Sequence, residues 1–175
     1  MKNSFNTHFF KILLVGLMIT FLSACTEVKK REPAIYLIPD GYVGSLYIVF
    51  NAPNGKPPKY EGNSRVYHIP SSGVLVTQMD ANEGWSESSE IKYFSVSQSG
   101  KRAPISTVSE GTPDNTRALY SGGLGEAGPI FGCTVINKKF TIGTKSQRTD
   151  LNKLLTIFEA IKVKNIDKKL FEDMC

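Results

Sequence analysis

The sequence predicts a mainly β, α+β domain: an antiparallel β-sandwich or half-barrel of about seven strands with one or two C-terminal helices. Three observations predict it. Short runs rich in Val, Ile, Tyr and Phe recur between Ala34 and Ile142, as strands require. Clusters of Pro, Gly, Asn and Ser separate them. After Gly143 the apolar spacing changes from alternation to the period of a one-sided helix.

Taken in order, Ala34 to Ile38 is a short apolar strand closed by Pro39-Asp40-Gly41. Proline sets φ there and glycine accepts angles that other residues resist. In the run Ser45 to Phe50, Leu46, Ile48 and Phe50 share one face and Tyr47 and Val49 the other. Both faces are apolar, which predicts a central strand covered on both sides. Asn51 to Pro58 reads as a loop. Ser64 to Ile69 and Val74 to Thr77 read as the arms of a hairpin around Pro70-Ser71-Ser72-Gly73. Gln78 to Glu90 is an acidic loop, with Trp85 anchoring it to the body. Ile91 to Val96 and Lys101 to Val108 pair across Ser97-Gln98-Ser99-Gly100. Ser109 to Pro129 reads as the longest loop, and Ile130 to Ile136 with Lys139 to Ile142 as a hairpin around Asn137-Lys138. Leu151, Leu154, Leu155, Phe158 and Ile161 then mark one face of a helix capped by Thr149. A second short helix starts at Asp167, with Ile166 and Phe171 placed to staple its entry.

The N-terminus has a different build. Lys2 and Lys11 provide a positive start, and Ile12 to Leu22 is an apolar run too short to span a bilayer well. It ends in Leu22-Ser23-Ala24-Cys25. That tetrad resembles the lipobox of bacterial lipoproteins. The resemblance implies cleavage between Ala24 and Cys25 and acylation of Cys25. Residues 1–24 are then a removable signal peptide, 25–33 a lipidated tether, and 34–175 one β-rich domain with a helical segment at 147–175. The processed chain keeps 151 residues, enough for a core. Its formal charge falls from +5 to +3, because Lys2 and Lys11 are lost. Such a balance reads first as a soluble mixed-charge surface, with attraction to an anionic membrane surface or cell-wall polymer as the alternative, and no basic run interleaved with aromatics points to nucleic acid. With Cys25 committed to lipid, Cys133 and Cys175 remain. An even remainder in an exported chain predicts a disulfide between them.

Several stretches carry a second resemblance. They are Ile38-Pro39-Asp40-Gly41-Tyr42-Val43-Gly44, Ile69 to Leu75, Tyr93 through Arg102, and Phe140-Thr141-Ile142-Gly143-Thr144. Together, over residues 34–145, they resemble a family of small bacterial lipoproteins carrying a domain of unknown function. The resemblance implies no activity and supplies no site residues. The helical tail and Cys175 stand as an addition to it.

The search for chemistry excludes more than it finds. Gly123-Leu124-Gly125-Glu126-Ala127-Gly128 fits the dinucleotide fingerprint. That fingerprint needs a helix after it to hold the pyrophosphate, and Pro129 and a strand follow instead. The glycines read as a flexible loop. His68 is the one histidine of the processed chain and lies opposite Tyr67 and Ile69 in the alternation. No serine sits in a nucleophile-elbow pattern to use it. Asp80, Asn82, Glu83, Glu87 and Glu90 lack the spacing of a calcium loop. The sequence thus predicts no catalytic residue, no metal site and no cofactor. The expected protein is a lipid-anchored envelope lipoprotein with a non-catalytic β-domain. It faces the periplasm from the outer membrane if the host has two membranes. The expected partners are the membrane, through the lipid, and an envelope protein or cell-wall polymer. The alternative is a lipid-anchored immunity protein or inhibitor that neutralises a periplasmic toxin or hydrolase.

Overall fold

A computed structural model describes residues 29–150 and 154–175. Among the described residues nine strands follow one another: β1 (Ala34–Pro39), β2 (Gly44–Val49), β3 (Tyr60–Glu61), β4 (Ser64–His68), β5 (Val74–Val76), β6 (Ile91–Val96), β7 (Arg102–Pro104), β8 (Ala118–Ile130) and β9 (Cys133–Gly143). Two short helices, α1 (Lys145–Arg148) and α2 (Ile157–Val163), and a 3₁₀ turn at Lys168–Phe171 complete the chain. The strands form two sheets, ordered β3-β4-β1-β6-β7 and β5-β2-β9-β8.

The β-rich α+β class holds, but the sheets are mixed rather than antiparallel. β1 runs parallel to both β4 and β6, and β2 runs parallel to β5. The cause lies in the turns. Pro39 to Gly41 carries the chain from one sheet to the facing sheet, and Pro70 to Gly73 does the same between β4 and β5. Each turn reverses direction and changes layer, so the next strand to return lies parallel to the first. The expected hairpin of residues 64–69 with 74–77 is therefore two strands of different sheets. Its turn is as read: the Gly73 amide donates to the Pro70 carbonyl at 2.9 Å, with φ of +81° at Gly73.

Three layers result. Between the sheets, Tyr36 and Ile38 of β1 meet Leu46 and Ile48 of β2, Tyr67 of β4, and Phe140 and Ile142 of β9. On the outer face of the second sheet, Tyr47, Val49, Val74, Val76 and Val135 pack against Ile157, Ala160, Ile161 and Phe171. Every residue of β2 is buried. That is the two-sided apolar pattern of its sequence turned into a central strand.

The C-terminal half departs furthest from the expectation. The Gly-rich stretch expected to be a loop is most of β8, and Asn137-Lys138, expected to be a turn, lies inside β9. The two strands pair along Ala118–Ile130, with register shifts after Ser121 and Ala127. Glycine is there for close approach. A Cβ on Gly122 would lie 2.6 Å from the Lys139 carbonyl oxygen, and one on Gly128 would lie 2.9 Å from the Thr134 Cα. Paired backbones this near tolerate only hydrogen.

The helical layer is also broken up. Thr144 caps α1 and Thr156 caps α2, each through a reciprocal capping box. The expected cap, Thr149, instead closes the end of α1. Phe158, expected on the buried face, is 47% exposed. The expected cap at Asp167 is present, its carboxylate accepting from the Lys169 amide at 2.9 Å.

The segment expected to be a loose tether is docked from Lys29 onward. The Arg31 amide donates to the Trp85 carbonyl at 2.9 Å and the Trp85 amide to the Lys29 carbonyl at 3.1 Å. Glu32 and Asn82 exchange hydrogen bonds, and Arg65, itself buried, pairs with Glu32 at 2.6 Å and Asp80 at 2.8 Å. These contacts, rather than the Trp85 ring, fasten the acidic loop; the indole is 47% exposed beneath the Lys30 ammonium. Gly84 makes the junction possible. Its φ is +113°, and a Cβ there would overlap the Lys29 carbonyl. Gly84→Ala is expected to cost about 1–3 kcal/mol as backbone strain and to release the segment. Limited digestion with trypsin checks it: cleavage at Lys29 to Arg31 should accelerate severalfold, and an unchanged rate would count against the docking.

Candidate functional site

The alternation of β9 places Ile136, Lys138, Phe140 and Ile142 toward the facing sheet. Three of these are apolar and one is a lysine. Its Nζ lies 5.8 Å from the centre of the Tyr36 ring and 5.3 Å from that of Phe140. Tyr36 in turn stacks between Tyr67 and Tyr93, at 5.0 and 4.9 Å between ring centres. The docked N-terminal segment brings Arg31 to the same place, where its charge acts on Lys138, Tyr36 and Tyr93. Ser121 of β8 closes the other wall.

These residues line a groove of about 790 Å³ between β6, β7 and the second sheet. A second hollow of about 500 Å³ adjoins it, and Arg31, Ser121 and Lys138 line both. Tyr93, Phe94 and Ile105 line the larger groove together with Ser106 and Thr107. The one carboxylate on the wall of either hollow, Glu83, is exposed at the rim of the smaller.

The electrostatics are unbalanced. Burial pushes the Lys138 ammonium down to about 8, and the neighbouring Arg31 charge adds to the effect. Among the described residues neither cation has a carboxylate within ion-pairing distance, and the Arg31 Nε is buried without a hydrogen-bond partner. Aromatic faces compensate such a charge only in part. Burial holds the Tyr93 phenol up, to about 12, and Tyr36 is raised too, so both keep their protons. The groove therefore offers Arg31, Lys138, the exposed Lys92 and several hydroxyls to a guest.

The residues singled out by sequence lie elsewhere. Ala24 and Cys25 fall outside the described residues. Cys133, buried at the start of β9, and Cys175 at the end of the chain stand at disulfide-bonding distance, their Cα atoms 5.6 Å apart. They close the helical layer, not the groove. His68 is exposed at the end of β4, between the buried Tyr67 and Ile69. Gly123 to Gly128 run along β8, with no helix to receive a pyrophosphate. Asp80 and Glu90 are spent on Arg65 and Lys30. Among the described residues no three His, Cys, Asp or Glu side chains converge as metal ligands, and no helix is long and apolar enough to cross a membrane. Sequence reasoning missed Lys138, although counting back two residues at a time from Ile142 and Phe140 points it inward.

Two facing mixed sheets, a cationic groove between them and a helical cover on the outer face define a small β-sandwich domain. A crystal structure described as "Putative Lipoprotein from Bacillus anthracis" has a similar fold, with a TM-score of 0.55 and 17% identity over 81% of this chain and 95% of that one. Among curated proteins none matches the chain. Residues 30–147 match the family model of a family of unknown function (DUF6843), and the chain belongs to that family. The match begins at Lys30, within the docked segment, and ends in α1, before the second helix and Cys175.

Proposed function

We propose that this chain is a lipid-anchored lipoprotein of the bacterial envelope whose β-domain binds a partner without catalysing a reaction, through the groove between its sheets. The observation that carries the reading is the place of Cys25. It follows Leu22-Ser23-Ala24 behind a short apolar run, and only Thr26, Glu27 and Val28 separate it from the first docked residue, Lys29. A lipid on Cys25 holds the domain against the bilayer with its Trp85 end nearest. The likeness to a chain described as a lipoprotein supports the same reading. In a host with two membranes, Thr26 after the cysteine favours the outer membrane, with the domain in the periplasm. The non-catalytic part rests on His68, which is exposed at the end of β4 and is not among the residues that line the groove.

Labelled palmitate tests the anchoring. The wild-type chain should incorporate it and partition into the detergent phase; Cys25→Ser should take up none and partition less. Equal labelling of the two proteins would overturn the reading.

A further inference from the structure

We infer that the groove between the sheets takes a phosphate-bearing ligand, gripped by the Arg31 guanidinium and the Lys138 ammonium. The assignment rests on reading that groove as the binding site, but not on the lipid anchor.

Lys138 stands where its charge is costly. It occupies a register site of β9 where Phe140 and Ile142 show that an aliphatic residue would fit the inter-sheet core. Placing a cation there without an acid costs stability. Arg31 makes the cost larger, because like charges repel in a partly buried setting. Among the described residues neither cation has an ion-pair partner, Lys138 has only aromatic faces against its charge, and one guanidinium nitrogen of Arg31 is both buried and unpartnered. An entering anion would relieve all three conditions together.

The two cations also define the kind of anion. A guanidinium offers a planar fork and an ammonium a compact point charge. Side by side they suit a group carrying one to two negative charges with oxygens on several sides, which is a phosphate. A free ion would occupy little of the groove. The rest of the groove, lined by Phe94, Ile105, Ser106 and Thr107, suits a polyol or ester carried on the phosphate. A soluble phosphoester, a phosphate-containing wall polymer and a phospholipid headgroup share this chemistry.

A pH signature accompanies it. The groups around Lys138 are Arg31, Tyr36, Tyr93 and Ser121, with Lys92 on the same groove wall and Glu83 on the adjoining rim. A phosphate binds the protonated ammonium, so binding raises the pKa of Lys138 from about 8 and takes up a proton. Affinity is then greatest between about pH 6, below which the phosphate takes up its second proton, and pH 8, above which Lys138 loses its own, while Tyr93 stays neutral up to about 12.

The test uses the full chain in neutral detergent, titrated with inorganic phosphate, with glycerol 3-phosphate, and with phosphatidylglycerol doped into the micelles against phosphatidylcholine. Calorimetry reads binding and thermal melting reads stability. Wild type should bind saturably at pH 7. Lys138→Met and Arg31→Gln should each weaken binding about tenfold or more, the range of a lost charge-assisted contact. Lys138→Met should melt no lower than wild type, because it removes a buried charge, and should abolish the fall in affinity above pH 8. Saturable binding of glycerol 3-phosphate identifies a soluble phosphoester or polymer. Response to phosphatidylglycerol alone identifies a headgroup. Undiminished binding by Lys138→Met, or no saturable binding of any probe, overturns the assignment. Palmitate labelling is unaffected by any of these results, so failure here is distinguishable from failure of the anchoring.

Discussion

Phe140→Ala is expected to lower stability by about 3–5 kcal/mol, the usual cost of removing a fully buried ring. Phe140 is 1% exposed at the centre of the inter-sheet core. Its ring meets Tyr36 edge-on at 5.1 Å and Tyr93 at 6.0 Å, and lies under Lys138. Losing it opens a cavity between two sheets whose backbones are fixed by their ladders, so little collapse is available to fill the space. For a domain of this size, each kcal/mol moves the melting midpoint by about 2–4 °C, which puts the expected fall at ~10 °C. Phe158→Ala is the control. That ring is 47% exposed on α2 and its loss should change stability by no more than ~0.5 kcal/mol. Similar melting curves for the two variants would refute the layer assignment.

The second large effect concerns Cys133 and Cys175, which are 42 residues apart in sequence. Closing a loop of that length restricts the unfolded chain by roughly 4 kcal/mol in the chain-entropy account. The double variant Cys133→Ala, Cys175→Ser should lose about that much. The loss should fall first on residues 154–175. Their polar ties to the sheet are few: the Tyr47 hydroxyl donates to the Leu155 carbonyl at 2.8 Å and the Asn54 amide to the Glu172 carbonyl at 3.1 Å. The rest of the hold is apolar, through Ile157, Ile161 and Phe171. Detachment would uncover Val49, Val74, Val76 and Val135 together, a patch of the kind that drives association. Hydrogen exchange should therefore show early loss of protection in α2 while β1 and β6 stay protected, followed by aggregation. A count of alkylatable thiols on denatured, unreduced protein checks the premise. Two thiols from Cys133 and Cys175 in protein taken from an oxidising envelope would overturn it.

What the sequence made legible was local. The two apolar faces of β2, the positive φ at Gly73, the outward His68 and the Asp167 cap all follow from alternation or from one residue's backbone preference. What it hid was the partner of each strand. Nothing in residues 64–69 or 74–77 tells whether the turn between them folds one sheet back or crosses to another. The parallel pairs arise only from the second choice. β8 was hidden for a related cause. The stretch from Ser121 to Gly128 has low strand propensity of its own, and it is strand because β9, rich in Val, Ile and Phe, lies against it. Lys138 was obscured twice over, since Asn137 before it is a turn former and Lys139 after it suggests a solvated pair. The cationic groove also needs Arg31, which composition places in a linker and which only the contacts of Trp85 and Asn82 bring to the body.

The position of β9 in its sheet sets an order of events during synthesis. It lies between β2 and β8, although it is the last of the described strands to be made. Until residue 143 has emerged, one edge of β2 has no partner, and the core on both faces of that strand is open. β1 likewise waits for β6, far downstream in the chain, to complete its second ladder. Contacts of such separation form late and slowly. Most of the chain must therefore be made before either sheet can close.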